Sequence, residues 1–394
     1  MSDGAASPSE VPAVLALAVL LWPAAVLPQQ RAAGPPGGIV VGATVRVVAG
    51  ARYEAGAVHR FLFGAGWRDL WTTPIEVPVL DLGRTAGGLV PVGRGGGSQT
   101  RSLALRGGEG REFRFRSVDK DPSRNLPTRA RFPGLVHLLR DQTSALHPAG
   151  ALVAASLART AGVPHVIPHL VVMPDDPGLG PFRAEFGGML GLLEERPAPR
   201  RDGEPDRFGF RQVLDTDSLL PRLRNDPGSR VDAREYLAAR LLDLYLNDWD
   251  RHEGNWLWGT SDAVAPRRWL AIPKDRDQVF ASYEGVVLAL VRTFIPKLVP
   301  FTDDYRLRGL TINAAALDRR ILGELAPATW DSVTAMLVAR LSDPAVDSAL
   351  RCMPAPYYRL SRAEIAEKLR KRRARLPAAA RGWARLLARG ADLP

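Results

Sequence analysis

Cysteine is almost absent from this sequence of 394 residues, in which Cys352 is the single example. One cysteine cannot form a disulfide within the chain, and it cannot supply the group of thiolates that a structural zinc site needs. The spacing of metal ligands is also lacking among the histidines His137, His147, His165 and His169. These absences count against a metal site built from sulfur or imidazole.

Lysine is scarce as well, so the formal net charge of +11 comes almost wholly from arginine. The lysines are Lys120, Lys274, Lys297, Lys368 and Lys371. Abundant Ala, Gly, Pro and Arg indicate a GC-rich coding bias, which explains part of the basicity. A basic balance permits phosphate-rich partners such as nucleotides, nucleic acid or anionic lipid, without identifying one of them. Apolar residues make up 46% of the chain, as in soluble globular proteins.

The N-terminus holds one long apolar stretch, VPAVLALAVLLWPAAVLPQQ (Val11–Gln30), followed by a Gly/Pro-rich linker. This pattern predicts that residues 1–38 are a signal peptide or membrane anchor with its linker. We therefore expect an exported or membrane-anchored protein of the bacterial periplasm or cell envelope, with the cytoplasm as the alternative. No Lys or Arg precedes the stretch and no clean A-x-A cleavage site follows it, so a buried helix is the competing interpretation.

Residues 39–195 have the pattern of a β-rich lobe. Three runs between Gly87 and Asp121 are separated by glycine-rich turns, which predicts strands at Leu89–Val92, Arg101–Leu105 and Glu112–Val118. The first turn contains Gly93, Gly95, Gly96, Gly97 and Ser98. Glycines let backbone amides close over phosphate oxygens without a side-chain clash. A glycine-rich loop alone is more often a flexible turn, but its place ahead of a basic strand favours a phosphate cradle.

Residues 196–394 predict a mainly helical lobe that begins with a polar, proline-rich hinge. Asp232 and Glu235 form a capping box for a long helix that ends at the polar segment NDWDRHEGNW (Asn247–Trp256). Two short strands and the segment KDRDQVF follow. Further on, a second capping box is predicted at Ser361–Glu364. The basic run KLRKRRAR (Lys368–Arg375) predicts a solvated helix face, with contact to an anionic membrane surface as the alternative.

The order of these parts is that of a phosphoryl-transfer enzyme of the protein-kinase type. Asp250 and Asn255 stand five residues apart, the separation that the kinase catalytic loop uses between its base and its metal-binding Asn. Asp250 is the candidate catalytic residue that orients and deprotonates a hydroxyl. Asn255 and Asp275 are candidate oxygen ligands for Mg²⁺ or Mn²⁺ beside the phosphates of ATP, and Asp277 is the rival of Asp275.

The basic residue expected on the third strand falls in FRFRSVDK. Lys120 is the first choice, because a flexible ammonium suits the α- and β-phosphates, and Arg116 is the alternative. The helix that should offer a Glu to this cation reads HPAGALVAAS and has none. Glu194 and Glu195 are the possible substitutes. The missing Glu leaves room for a pseudokinase.

DRHEGNW together with IPKDRDQVF resembles the atypical kinases: Golgi secretory casein kinases, type II phosphatidylinositol 4-kinases, CotH-like spore-coat kinases and HipA-type kinases. In the Golgi group, Asp-Arg-His opens the catalytic loop and Asp-x-x-x-x-Phe carries the metal Asp, which correspond here to Asp250–His252 and Asp275–Phe280. The resemblance implies an α+β, bilobal protein-kinase-like fold with a β-rich N-lobe and a mainly helical C-lobe. It also implies transfer of the γ-phosphoryl group of ATP to a hydroxyl acceptor, without specific binding of nucleic acid.

From about residue 45 to 387 the chain resembles more closely an uncharacterised bacterial envelope family that carries GDWDRHE and PRDRDQAF. That family often accompanies a calcineurin-like metallophosphoesterase and an outer-membrane surface-antigen barrel, and the motifs of neither companion are found in this sequence. Two alternatives to a kinase stay open: an envelope scaffold or binding module without catalysis, and a metal-dependent phosphohydrolase that uses the same acidic residues.

Overall fold

The computed structural model describes residues 38–96, 99–125, 133–200 and 202–389. The strands in this part of the chain are β1 Val41–Val47, β2 Ile75–Leu80, β3 Val90–Arg94, β4 Thr100–Arg106, β5 Glu112–Lys120, β6 Pro168–Val172, β7 Leu190–Arg196, β8 Gln212–Asp215, β9 Ser229–Val231, β10 Trp256–Thr260 and β11 Arg267–Pro273. The helices are α1 Ala57–Phe63, α2 Arg68–Thr72, α3 Pro133–Asp141, α4 Gly150–Ala161, α5 Arg183–Phe186, α6 Thr216–Asn225, α7 Ala233–Tyr245, α8 Val286–Val291, α9 Leu307–Thr311, α10 Ala315–Leu322, α11 Pro327–Arg340, α12 Asp343–Leu350 and α13 Ala355–Ala388.

The first seven strands form one sheet in the order β1-β2-β6-β7-β5-β4-β3, and helices dominate the chain after β7. The predicted α+β class, with a β-rich N-terminal part and a mainly helical C-terminal part, is confirmed. The three strands predicted around the glycine-rich loop are β3, β4 and β5, each paired antiparallel with the next. The predicted helix of small residues is α4.

Strand β5 directs apolar side chains to one face of the large sheet and charged side chains to the other. Phe113 and Phe115 are buried in a core with residues of β4 and β7. Successive side chains of a strand point to opposite faces, so Arg114 and Arg116 lie on the other face. Glu194 of β7 pairs in register with Arg114, which puts its carboxylate on this polar face as well.

Helix α7 is the central helix of the C-terminal part, and every residue from Tyr236 to Tyr245 is buried. It begins where predicted, because the carboxylate of Asp232 accepts hydrogen bonds from the backbone amides of Arg234 and Glu235, each at 3.0 Å. The predicted two-strand hairpin is β10 and β11, flanked by β8 and β9 in a four-stranded sheet. Trp256 and Trp258 of this hairpin pack against Tyr236, which joins the hairpin to α7.

Two predictions for the C-terminal helix are wrong. Helix α13 begins at Ala355, so Ser361 is no cap and instead donates a hydrogen bond to the carbonyl of Tyr357 (2.8 Å). The basic run is not wholly solvated, because Arg372 is fully buried. Its guanidinium donates to the carbonyls of Leu244 and Tyr245 in the last turn of α7, where the regular helical hydrogen bonds end. Arg372 therefore stabilises the end of α7.

No helix in the described part of the chain is long and apolar enough to cross a membrane. The apolar stretch predicted as a signal or anchor, Val11–Gln30, lies outside the described residues.

Candidate functional site

Arg251 holds the polar segment after α7 in place, and its side chain is fully buried. Nε donates to Asp243 Oδ2 at 2.9 Å, and Nη2 donates to Asp248 Oδ2 at 2.7 Å. Nη1 donates to two backbone carbonyls, that of Asn255 at 3.1 Å and that of Lys274 at 2.6 Å. One guanidinium thus connects α7, the loop after it and the end of β11.

Further buried charges surround Arg251. Asp243 also forms ion pairs with Arg240 Nη1 at 3.1 Å and with Arg276 Nη1 at 2.9 Å. Burial opposes ionisation of Asp243, but the charges of the three arginines outweigh burial and lower its pKa. Burial dominates at Asp248 and raises its pKa to about 6.

Asp250 and Asn255 lie together in the loop after α7. The side-chain amide of Asn255 donates to the backbone carbonyl of Asp250 at 2.7 Å, while its Oδ1 makes no hydrogen bond within the described residues. Asp250 is partly exposed, and its Oδ1 accepts a hydrogen bond from Asn313 Nδ2 at 3.0 Å. Asn313 therefore orients the carboxylate of Asp250. Asn313 stands in no recognisable sequence motif, so the contact with Asp250 is visible in the structure alone.

Asp275 and Asp277 follow β11 and face β5 across a cleft. Arg116 Nη2 lies 3.5 Å from Asp275 Oδ2, and Lys120 Nζ forms an ion pair with Asp277 Oδ2. The backbone amide of Lys274 donates to the backbone carbonyl of Asn255 at 3.1 Å. Asp275 therefore follows directly after the residue that is hydrogen-bonded to Asn255. Asp275 has a φ of +61°, a left-handed conformation that costs free energy for a residue with a Cβ and that clusters at functional sites.

The carboxyls of Asp275 and Asp277 have pKa shifts in opposite directions. Burial opposes ionisation of Asp275, but the charges of Arg116 and Lys120 outweigh burial and hold its pKa below the usual range. Burial raises the pKa of Asp277 to about 7, although Lys120 opposes the increase. Burial also raises the pKa of Tyr283, and the charges of Asp250 and Asp277 add to that increase.

Glu194 supplies the carboxylate that α4 lacks. Arg116 Nη1 donates to Glu194 Oε2 at 3.0 Å, whereas Glu195 pairs with Arg111. Of the two substitutes considered from the sequence, Glu194 is the one that lies in the cleft. It comes from the neighbouring strand rather than from a helix.

Of the glycine-rich loop, Gly97 and Ser98 lie outside the described residues. A Cβ on Gly95 would lie 2.2 Å from Ser102 Oγ and 2.7 Å from Arg114 Nη1, so this position requires glycine. Nothing lies within 4 Å of a Cβ built on Gly93 or Gly96. The loop thus passes close over the polar face of β5 at Gly95.

The cleft contains a small cavity of about 30 Å³, whose polar lining includes Arg116, Lys120, Glu194, Asp275 and Asp277. This volume is enough for a water molecule and too small for a nucleotide. The ion pairs from β5 to the segment after β11 cross this space. A phosphate-bearing ligand must therefore separate them or enter beside them.

The oxygen donors of the cleft suit a magnesium ion that is shared with phosphate. Mg²⁺ is usually held by one or two carboxylates together with substrate phosphates and water. Asp275 and Asp277 line the cleft, and Asn255, whose backbone carbonyl accepts from the amide of Lys274, has an Oδ1 without a hydrogen bond to any described residue. Within the described ranges, no group of three or more His, Cys, Asp or Glu side chains is arranged to hold a metal ion by itself.

Comparison with known proteins gives little beyond the geometry. No protein-family profile matches the chain, and no curated protein matches it. Among solved structures, the chain is similar to the Helicobacter pylori proinflammatory kinase CtkA, with 11% identity and a TM-score of 0.37. The similarity covers 76% of this chain and 96% of that one. A similarity this weak leaves the function to be inferred from the site itself.

Proposed function

We propose that the protein is a kinase-like phosphotransferase that passes the γ-phosphoryl group of ATP to a hydroxyl acceptor, with Mg²⁺ or Mn²⁺. The observation that carries the proposal is the pairing of Arg116 and Lys120 with Asp275 and Asp277 across the cleft. Phosphoryl transfer needs cations for the phosphates and hard oxygen ligands for the metal at the same place. In this cleft the cations and the carboxylates are both present, and they form ion pairs with each other.

Lys120 and Arg116 bind the phosphates in this proposal. Each now contacts a carboxylate, and each exchanges that carboxylate for phosphate oxygens when the nucleotide enters. Glu194 keeps Arg116 oriented during the exchange, because it contacts the other nitrogen of the guanidinium. In this proposal the backbone amides of the loop at Gly95, which lies close to Arg114, would cover the phosphates.

Asn255 and Asp275 would hold the metal, and Asp277 would act as a second carboxylate ligand or as the anchor of Lys120. The metal, when bound, neutralises charge on the β- and γ-phosphates. The left-handed backbone of Asp275 and the contact of Arg276 with Asp243 fix the direction of these side chains before any ligand arrives.

Asp250 accepts the proton of the acceptor hydroxyl. Its carboxylate is partly exposed, and Asn313 holds one oxygen in a fixed direction. A carboxylate that can reach solvent on one side can also reach an incoming hydroxyl. The acceptor itself, whether protein, lipid or sugar, is not specified by these contacts.

A binding module without catalysis is the second candidate, and one observation favours it. The ion pairs that cross the cleft leave a cavity of about 30 Å³, which does not admit a nucleotide as it stands. A scaffold would keep these pairs as structural contacts, whereas a kinase must open them.

Thermal shift with ATP and Mg²⁺ separates the candidates. We expect the nucleotide to raise the melting temperature of the wild type and Asp275→Ala to abolish this shift. Asp331→Ala, at an exposed position of α11, should retain it. Transfer from [γ-³²P]ATP, to the protein or to added acceptors, should then be lost in Asp250→Asn. Wild type without any nucleotide-dependent shift would refute the phosphotransferase. Release of phosphate from simple esters without nucleotide would indicate a phosphohydrolase instead.

A further inference from the structure

Among the residues that the structure describes, three cationic side chains beside the cleft have no carboxylate partner. Within the described residues, Arg114, Arg196 and Lys274 make no side-chain hydrogen bond and no ion pair within 4.0 Å, although Nε of Arg196 is buried. Their neighbours Arg116 and Lys120 are both paired. These three side chains thus lie without a partner beside two cations that are paired, and we call them the cationic cluster.

The register of β5 and β7 puts the two arginines of the cluster on one face. Arg114 lies opposite Glu194, and Arg196 lies opposite Glu112. Residues opposite each other in an antiparallel pair share a face, as do residues two apart on one strand. Arg114, Arg116 and Arg196 therefore all project from the polar face of the sheet.

Lys274 reaches the same region from the C-terminal part of the chain. It immediately precedes Asp275, whose carboxylate lies 3.5 Å from Arg116. Burial lowers the pKa of Arg196 to about 10, and the charges of Arg116 and Arg114 add to the decrease. Gly95 lies close to Nη1 of Arg114, because a Cβ built on this glycine would be 2.7 Å from that atom.

Like charges that are gathered in a partly buried region destabilise the folded protein unless an anion joins them. Glu194 and Asp275 already contact Arg116, and Glu112 lies on the same face, opposite Arg196 and two residues from Arg114. None of these carboxylates forms an ion pair with a cation of the cluster, so the three cationic groups stay available to an anion. Guanidinium groups match phosphate oxygens in geometry as well as in charge, and an ammonium adds a point charge.

We propose that Arg114, Arg196 and Lys274 form an anion subsite that binds a phosphate group without a divalent cation. This subsite goes beyond the proposed function, because it uses neither Asp250 nor the candidate metal ligands. It would hold a phosphate that is not transferred, carried by the acceptor or by the donor. The chemistry that recognises it is that of a phosphate monoester or a pyrophosphate.

Calorimetric titration of the full chain with pyrophosphate in EDTA tests the subsite. We expect the wild type to bind, and Arg196→Gln and Arg114→Gln each to weaken binding by about tenfold or more, since each removes a charge-assisted contact. Arg200→Gln is the matched control, because Arg200 is exposed and pairs with Asp202 outside the cleft. It removes the same charge and should leave the affinity unchanged.

Two results would overturn the proposal: no binding by the wild type, or equal weakening in Arg200→Gln, which would indicate a general effect of net charge. If Arg196→Gln fails to fold, Arg114→Gln carries the test, because the wild-type side chain makes no ion pair. Asp275→Ala separates this proposal from the previous one. It should lose the shift with ATP and Mg²⁺ and keep the binding of pyrophosphate in EDTA. If the wild type binds pyrophosphate but shows no thermal shift with ATP and Mg²⁺, the kinase proposal is refuted and the subsite is supported.

Discussion

Replacing Arg251 by alanine should lower the free energy of unfolding more than any exposed substitution in this chain. The guanidinium contacts two buried carboxylates, Asp243 and Asp248, and two backbone carbonyls. Removal of one partner from a buried ion pair leaves an uncompensated charge and costs about 3–5 kcal/mol. Asp243 keeps Arg240 and Arg276, so the greater part of the loss falls on Asp248 and on the carbonyls.

Urea denaturation of the wild type and of Arg251→Ala at pH 7 measures this loss. With an m-value that is unchanged, we expect a decrease of about 3–5 kcal/mol, whereas Arg200→Ala, which breaks an exposed ion pair, should cause no measurable loss. Because Asp248 already has a raised pKa, the variant should let it take up a proton more readily, so the deficit should shrink towards pH 5. A loss below about 1 kcal/mol for Arg251→Ala would refute the view that this residue holds the site together.

Three further predictions concern single residues of the site and of α7. Asp250→Asn should reduce the rate of phosphoryl transfer by about 100-fold or more while nucleotide binding is retained. Transfer is measured with [γ-³²P]ATP and binding by calorimetry. Activity equal to that of the wild type would exclude Asp250 as the base. Lys120→Met should abolish the thermal shift with ATP, and an unchanged shift would leave Arg116 as the phosphate ligand. Burial raises the pKa of Glu235 to about 7, so its ionisation destabilises the fold as pH rises from about 4.5 through 7. Glu235→Gln should therefore melt above the wild type at pH 8 by more than it does at pH 5, and a gap that is constant with pH would contradict the assignment.

Local patterns predicted the elements of the fold that depend on neighbouring residues. Glycine-rich turns marked β3 to β5, and the cap at Asp232 marked the start of α7, because both signals act within a few residues. The second capping box had the same residue pattern and was wrong. Ser361 has helix on both sides, and packing of α13 overrides a cap signal there.

Contacts between residues that are far apart in the sequence could not be predicted from local patterns. Asn313 reaches Asp250 across 63 positions, and Arg372 reaches Leu244 across 128. Neither residue differs in local pattern from an exposed Asn or Arg. The cationic cluster could not be predicted for the same reason, since Arg196 was assigned to a polar hinge and only the register of β7 with β5 puts it beside Arg114.

A crystal soaked with a non-hydrolysable ATP analogue and Mn²⁺ tests the central claim most directly. Anomalous scattering locates the manganese independently of the phosphates. We expect its peak within coordination distance, about 2.2 Å, of Asn255 Oδ1 and an oxygen of Asp275, with Lys120 turned towards the phosphates. A nucleotide bound elsewhere, or a manganese peak that neither residue contacts, would contradict the assignment of this cleft to phosphoryl transfer.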